Sequence, residues 1–194
     1  MAKKKTFRKR VSRKNNKVQI EKYSLYAQAV QSPETDVDFL KKTYRELRGK
    51  SAEILREDFC GTFLLSSAWV KNRPQHKAWG VDIDPEPIEY GKTHYYDKLS
   101  PQARKRLKIF EGDVLNSKLP EADIAVAVNF SYFCFKKRET LKKYFTNVLR
   151  SAKPKGLFII DVFGGTQCTD AIEDKGKLKN FIYYWDQKNF DPVT

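Results

Sequence analysis

The stretch AEILREDFCGTF, residues 52–63, begins apolar, passes into charge at Arg56, Glu57 and Asp58, and ends in Cys60-Gly61-Thr62-Phe63. Residues 52–55 predict a short buried strand. Residues 61–71 (GTFLLSSAWVK) predict a buried helix, because Leu64, Leu65, Ala68 and Trp69 recur at helical spacing. The chain therefore reads as strand, glycine turn and helix, the opening unit of a parallel sheet.

The same alternation continues outward. KAWGVDI (77–83), KIFEGDV (108–114), DIAVAVNF (123–130) and LFIIDVF (157–163) are further strands. The last two lack polar alternation, as strands buried on both faces do. Asp84 caps a helix begun by Pro85-Glu86-Pro87 that carries Ile88 inward. Residues 137–152 put Leu141, Tyr144, Phe145, Val148 and Leu149 on one stripe, and Pro154 and Gly156 stop it. Residues 166–179 predict a weak helix, and 181–185 (FIYYW) begin a sixth strand. Ahead of the sheet, residues 20–31 predict a short helix. A second helix starts at Ser32-Pro33, with Ser32 as its capping residue and Glu34, Asp36 and Asp38 near its positive end. It sets Val37, Phe39, Leu40, Tyr44 and Leu47 mostly on one face and stops at Gly49. The fold class predicted is α/β: a Rossmann-like, doubly wound, mainly parallel sheet with helices on both faces. Ligands of such sheets sit beyond the carboxyl ends of the strands, near the switch in strand order.

Composition narrows the partners. The 194 residues carry 38 Lys+Arg against 24 Asp+Glu, a net charge of +14. Nine of the basic residues fall in residues 1–17, which contain no acid, so the remainder is only mildly basic, 29 against 24. Residues 1–17 read as a disordered arm, with weak, salt-sensitive attraction to RNA as its candidate function; no recognition module accompanies it. Three cysteines form no disulfide framework and fit a reducing, cytoplasmic setting. No apolar run approaches the ~20 residues of a membrane helix, and no secretory signal is present. His76 and His94 lack partners at ligand spacing, so no metal site is expected, and Cys60 has no histidine partner and reads as packing.

Each strand ends in polar residues or glycine: Glu57 and Gly61 after the first, Asp82 at the second, Gly112-Asp113 at the third, Asn129 to Tyr132 after the fourth, Asp161 at the fifth. This series resembles the class I S-adenosylmethionine-dependent methyltransferases from about residue 52 onward. Glu57 matches the family's first acid and Cys60-Gly61-Thr62 the core of its glycine turn, while two of the family's glycine positions hold Phe59 and Phe63. REDFCGT, with Val30-Gln31-Ser32-Pro33, Asn129-Phe130-Ser131-Tyr132-Phe133 and Phe190-Asp191-Pro192, looks like a bacterial subgroup of that family.

The resemblance implies S-adenosyl-L-methionine as cofactor and assigns roles. Gly61, with Cys60 and Thr62, would let backbone approach the methionine part, whose carboxylate suits N–H groups at a helix start. Glu57 would order the turn or meet the cofactor's ammonium. Asp82 would accept from both ribose hydroxyls, Ile83 would pack on adenine, and Asp113 would accept from the adenine amino group with Val114 beside it. Asn129 and Tyr132 would line the transfer site. In-line transfer of a methyl group from a sulfonium chiefly needs two reactants positioned. The resemblance also implies further strands beyond Thr194, hence a C-terminally incomplete domain: an arm (1–17), a helical cap (18–50) and the cofactor-binding domain (51–194). A small-molecule acceptor is favoured over RNA. The rival readings are a noncatalytic nucleotide- or RNA-binding protein and an NAD-dependent oxidoreductase. The oxidoreductase needs a G-x-G-x-x-G turn that Phe59 and Phe63 replace.

Overall fold

The computed structural model describes residues 22–115, 118–171 and 173–186; the basic arm and residues 187–194 lie outside them. The main sheet has five parallel strands: β1 (Ile54–Asp58), β2 (Lys77–Asp82), β3 (Leu107–Glu111), β4 (Ala122–Ala127) and β5 (Ala152–Ile160). Their spatial order is β3-β2-β1-β4-β5. The chain runs outward from β1 through β3, then returns to place β4 on β1's other side. The carboxyl ends of β1 and β4 therefore flank the switch point.

Helices cover both faces. Strand alternation sends Leu55, Ile124 and Val126 to one face, against α2 (Pro33–Arg48) and α3 (Leu64–Asn72). Val81, Ala125 and Ala127 go to the other, against Tyr144 and Val148 of α6 (Arg138–Arg150). β4 is buried at every position, as its continuous apolar sequence requires. Between β2 and β3 lie α4 (Pro85–His94), a 3-10 turn and the short α5 (Pro101–Arg104). Asp84 caps α4 by accepting from Glu86 N–H at 3.0 Å. Gly49 ends α2 in the left-handed region at φ 68°, its N–H bonded to the Arg45 carbonyl. A helix α1 (Lys22–Val30) precedes α2 and meets α4 through a Lys22–Glu86 ion pair and a Tyr23–Tyr90 ring contact of 5.0 Å.

Several local expectations are corrected. β1 starts two residues later than predicted and continues through Arg56, Glu57 and Asp58, whose charges find partners inside the fold. Ser32 makes no side-chain cap on α2. Phe39, Leu47 and Leu149, placed by periodicity on the core stripes, are exposed, because each stripe is narrower than a loose helical face: only Val37, Leu40 and Tyr44 of α2, and Tyr144 and Val148 of α6, are buried. The region predicted as a weak helix at 166–179 holds a 3-10 turn (Thr166–Thr169) and then β6 (Glu173–Lys177). β6 pairs antiparallel with β7 (Ile182–Asp186) in a sheet of its own, so 181–185 does not extend the main sheet. The few apolar residues of 166–179 give a helix little to bury, whereas Tyr183, Tyr184 and Trp185 suit a strand. The Leu178 N–H closes the hairpin on the Phe181 carbonyl at 2.9 Å.

Candidate active site

β1 delivers its three charged residues to opposite faces. Arg56 and Asp58 point toward α6 and are fully buried. The Arg56 guanidinium donates to both Asp58 oxygens, at 2.8 and 3.2 Å, and to Ser151 Oγ at 2.6 Å. The Tyr144 hydroxyl donates to Asp58 at 2.8 Å. Burial pushes the Asp58 carboxyl up, against the opposing pull of Arg56. These two members of the motif tie sheet to helix, a role the sequence reading missed.

Glu57 points the other way, to the start of α3, where Oε2 accepts from Ser66 N–H at 2.9 Å and Ser66 Oγ at 2.6 Å. Burial pushes its carboxyl up to about 7 despite those two donors. The side chain thereby anchors the helix that follows the turn.

The turn itself keeps a glycine-like backbone with phenylalanine at two of its three left-handed positions. Phe59 (φ 58°), Gly61 (φ 51°) and Phe63 (φ 48°) are all left-handed. This conformation costs an L-residue about 1–2 kcal/mol. The rings supply the compensation: Phe63 is fully buried, and Phe59 packs on Phe135 and Tyr144 at centroid distances of 5.6 and 5.5 Å. Space above Gly61 is open, with nothing within 4 Å of where a Cβ would stand. Cys60 turns inward against Gly80, and burial raises its thiol well above the usual range, so packing is its role. Thr62 is buried, and its carbonyl lies against Gly91 of α4.

At the end of β2, Asp82 reaches across to the turn. Its Oδ2 accepts from Gly61 N–H at 2.6 Å and its Oδ1 from Asp84 N–H at 2.9 Å. Each carboxylate oxygen keeps a lone pair for another donor. Ile83 beside it is 66% exposed, an apolar platform next to the acid. After β3, Gly112 N–H bonds the Asp82 carbonyl at 2.8 Å, and Asp113 accepts from Leu115 N–H at 2.7 Å. The Val114 side chain is buried in the core on the α6 face, so it backs this loop from within.

The loop after β4 is strained. Asn129 and Phe130 hold φ 56° and 54°, and Asp161 at the end of β5 accepts from both of their N–H groups, at 2.6 and 2.9 Å. Two charge-assisted hydrogen bonds offset the backbone cost and present Asn129 at the surface of the site. Tyr132 is not brought there: its ring is buried, and its hydroxyl donates to the Asp161 carbonyl at 3.0 Å.

Two adjoining cavities open at the switch point, of about 480 and 430 Å³, within the ~300–1,000 Å³ typical of ligand sites. Gln31, Glu57, Val128 and Asn129 border both. The smaller is floored by Cys60, Gly61 and Thr62 and roofed by Tyr23 and Tyr26 of α1. The larger lies under α2, with Asp36 and Asp161 in its wall. Tyr23, Tyr26, Gln31 and Asp36 were not foreseen as site residues. Asp36 read only as a helix-terminus charge; the resemblance implies a helical cap, but nothing local reveals which of its side chains reach the sheet's end.

The Asp82 carboxylate keeps lone pairs free, Ile83 stands exposed beside it, and the backbone at Gly61 is uncovered; of the three, Gly61 borders a cavity, the smaller one. The comparisons with known proteins agree in fold. A family model described as a methyltransferase domain matches residues 58–160. Among solved structures, an S-adenosylmethionine-dependent methyltransferase from Clostridium acetobutylicum superposes with TM-score 0.66 at 19% identity, covering 84% of this chain and 66% of that one. An amino pentose methyltransferase from Micromonospora echinaspora gives 0.64 at 14% identity, covering 80% and 61%. A sugar N-methyltransferase from Streptoalloteichus gives 0.62 at 16%, covering 91% and 66%. At such identities the likeness shows the fold, and the chain spans about three-fifths to two-thirds of the length of these structures. No curated protein matches at a significant level.

Proposed function

The chain belongs to the methyltransferase domain family, and from that premise we propose that it binds S-adenosyl-L-methionine and transfers its methyl group to a small-molecule acceptor. The observation that carries this reading is the Asp82 carboxylate, fixed at the end of β2 by the N–H groups of Gly61 and Asp84. A carboxylate so anchored cannot swing away, and its remaining lone pairs suit the paired hydroxyls of a ribose. Ile83 lies beside it for a base, and Asp113 stands one strand further along for an exocyclic amino group. Gly61 leaves the turn open to the amino-acid portion, and Glu57 holds the start of α3 in register beneath it.

Bound there, S-adenosylmethionine would supply an electrophilic methyl group on a positively charged sulfonium. The protein's own part is to orient the reactants and exclude water. Asn129, held in a strained conformation where the two cavities meet, is positioned to contact both ligands. Tyr132 supports that loop from the core. α1 and α2 act as a cap. The sugar and amino pentose methyltransferases among the structural neighbours support a small-molecule acceptor over RNA, and three free cysteines fit a cytoplasmic setting.

Titration calorimetry with S-adenosylhomocysteine tests the reading. Wild type binds, and Asp82→Ala binds at least tenfold more weakly. If both are silent while circular dichroism shows both folded, the cofactor assignment is wrong.

A further inference from the structure

The larger cavity differs in chemistry from the smaller. Its apolar walls come from Leu40, Leu64, Leu65 and Ile159. Its charged groups are the carboxylates of Asp36, Glu57 and Asp161, and no Lys, Arg or His lines it among the described residues. Ser32 and Asn129 add small polar groups. Gln31 contributes a side-chain oxygen that is buried with no hydrogen-bond partner among the described residues.

These groups make one demand. An unpartnered buried acceptor costs free energy until a donor reaches it. Three carboxylates around one space repel one another, and burial followed by the facing charge of Asp161 pushes the Asp36 carboxyl up. An anionic ligand would worsen both problems, and a neutral hydroxyl would relieve only one acceptor. A protonated amine offers up to three donors and a positive charge together, while the apolar walls accept a hydrocarbon body.

We propose that the cavity between α2 and the ends of β1, β4 and β5 is the acceptor site, and that it selects an amine carried on an apolar body: Asp36 and Asp161 read the ammonium and Gln31 Oε1 takes one N–H, and for transfer the nitrogen first gives one proton to Asp36, so that its freed lone pair takes the methyl group while the C–S bonding pair leaves with S-adenosylhomocysteine. This rests on the methyltransferase reading and names its acceptor class. The turn residues proposed to meet the cofactor, Cys60, Gly61 and Thr62, border only the smaller cavity, whereas Asp36 and Asp161 border only this one, so the amine site is distinct from the one proposed for the cofactor. Asp36 is the specificity-determining residue: it stands on the cap, away from the glycine turn, and its side chain makes no fold-stabilising hydrogen bond among the described residues.

The test uses cyclohexylamine and cyclohexanol, matched in body and differing in the group that carries the charge. Binding to the full chain is followed by calorimetry and by amide chemical shifts near Asn129 and Leu64, at pH ~7.5, where such an amine is protonated as a lysine is, with and without saturating S-adenosylhomocysteine. The amine is expected to bind at least tenfold more tightly than the alcohol, to lose about tenfold in Asp36→Asn, and to bind undiminished with S-adenosylhomocysteine present. Equal affinities, binding of neither probe, or an unchanged Asp36→Asn overturns the amine assignment. Displacement of the amine by S-adenosylhomocysteine also overturns it, since the acids would then serve the cofactor's ammonium. S-adenosylhomocysteine binding on the same sample reports separately on the cofactor reading.

Discussion

Replacing Glu57 by glutamine should abolish the pH dependence of stability that this side chain imposes. Glu57 is 4% exposed and its carboxyl is pushed up to about 7 by burial, against an ordinary value of 4.5. Below 4.5 the group is protonated in both folded and unfolded chains, and stability is complete. Between 4.5 and 7 the unfolded chain releases the proton and the folded chain retains it. The folded state then binds more protons, so stability falls as pH rises. Above 7 both states are ionised and the loss is full. At about 1.36 kcal/mol per tenfold change in proton affinity, the loss amounts to about 3 kcal/mol.

The amide of the Glu57→Gln variant can still accept from Ser66 N–H and Oγ but does not titrate. Urea unfolding of wild type and Glu57→Gln at pH ~4.5 and pH ~8, without ligand, gives the difference in stability at each pH. Subtraction removes the contributions of Asp36, Asp58 and His76, which titrate in both proteins. The variant should gain about 3 kcal/mol relative to wild type between the two pH values. A relative gain below about 1 kcal/mol would refute the argument, because Glu57 would then be ionised in the fold at little cost.

Other perturbations separate packing from site. Arg56→Met leaves Asp58 buried without its cation and should cost about 3–5 kcal/mol in urea unfolding, while Arg56→Met/Asp58→Leu should recover at least half of it. Phe63→Gly relieves the left-handed strain but removes a fully buried ring, for a net loss of about 2–4 kcal/mol by thermal or urea denaturation. Gly91→Ala would drive its Cβ onto the Thr62 carbonyl and the Phe63 ring; it should cost about 1–3 kcal/mol and weaken S-adenosylhomocysteine binding by displacing the turn. Asp161→Ala strips acceptors from the Asn129 and Phe130 N–H groups, and hydrogen exchange at those two amides should accelerate about tenfold or more.

The sequence by itself determined the layered α/β architecture, because hydrophobic runs of strand length alternating with helical stripes admit few other arrangements. It also determined which residues stand at strand ends: Glu57, Gly61, Asp82, Asp113, Asn129 and Asp161 are legible because the site of such a sheet lies where its strands stop. Only the tertiary structure decided what those residues touch. Strand alternation makes Arg56 and Asp58 partners of α6 and Glu57 a partner of α3, but naming those partners requires knowing which helix covers which face. Phe59 and Phe63 read as departures from a glycine turn, yet their packed rings offset the left-handed backbone and the turn keeps its shape. Tyr132 and Val114, placed by neighbourhood in sequence, belong to the core because the loops after β4 and β3 turn them inward. The hairpin of β6 and β7 escaped local reading, since pairing depends on a partner strand and not on periodicity. The resemblance implied a helical cap, but Gln31 and Asp36 became cavity residues only through the long-range packing of α1 and α2 across the end of the sheet, which decides which of the cap's side chains face the cavity.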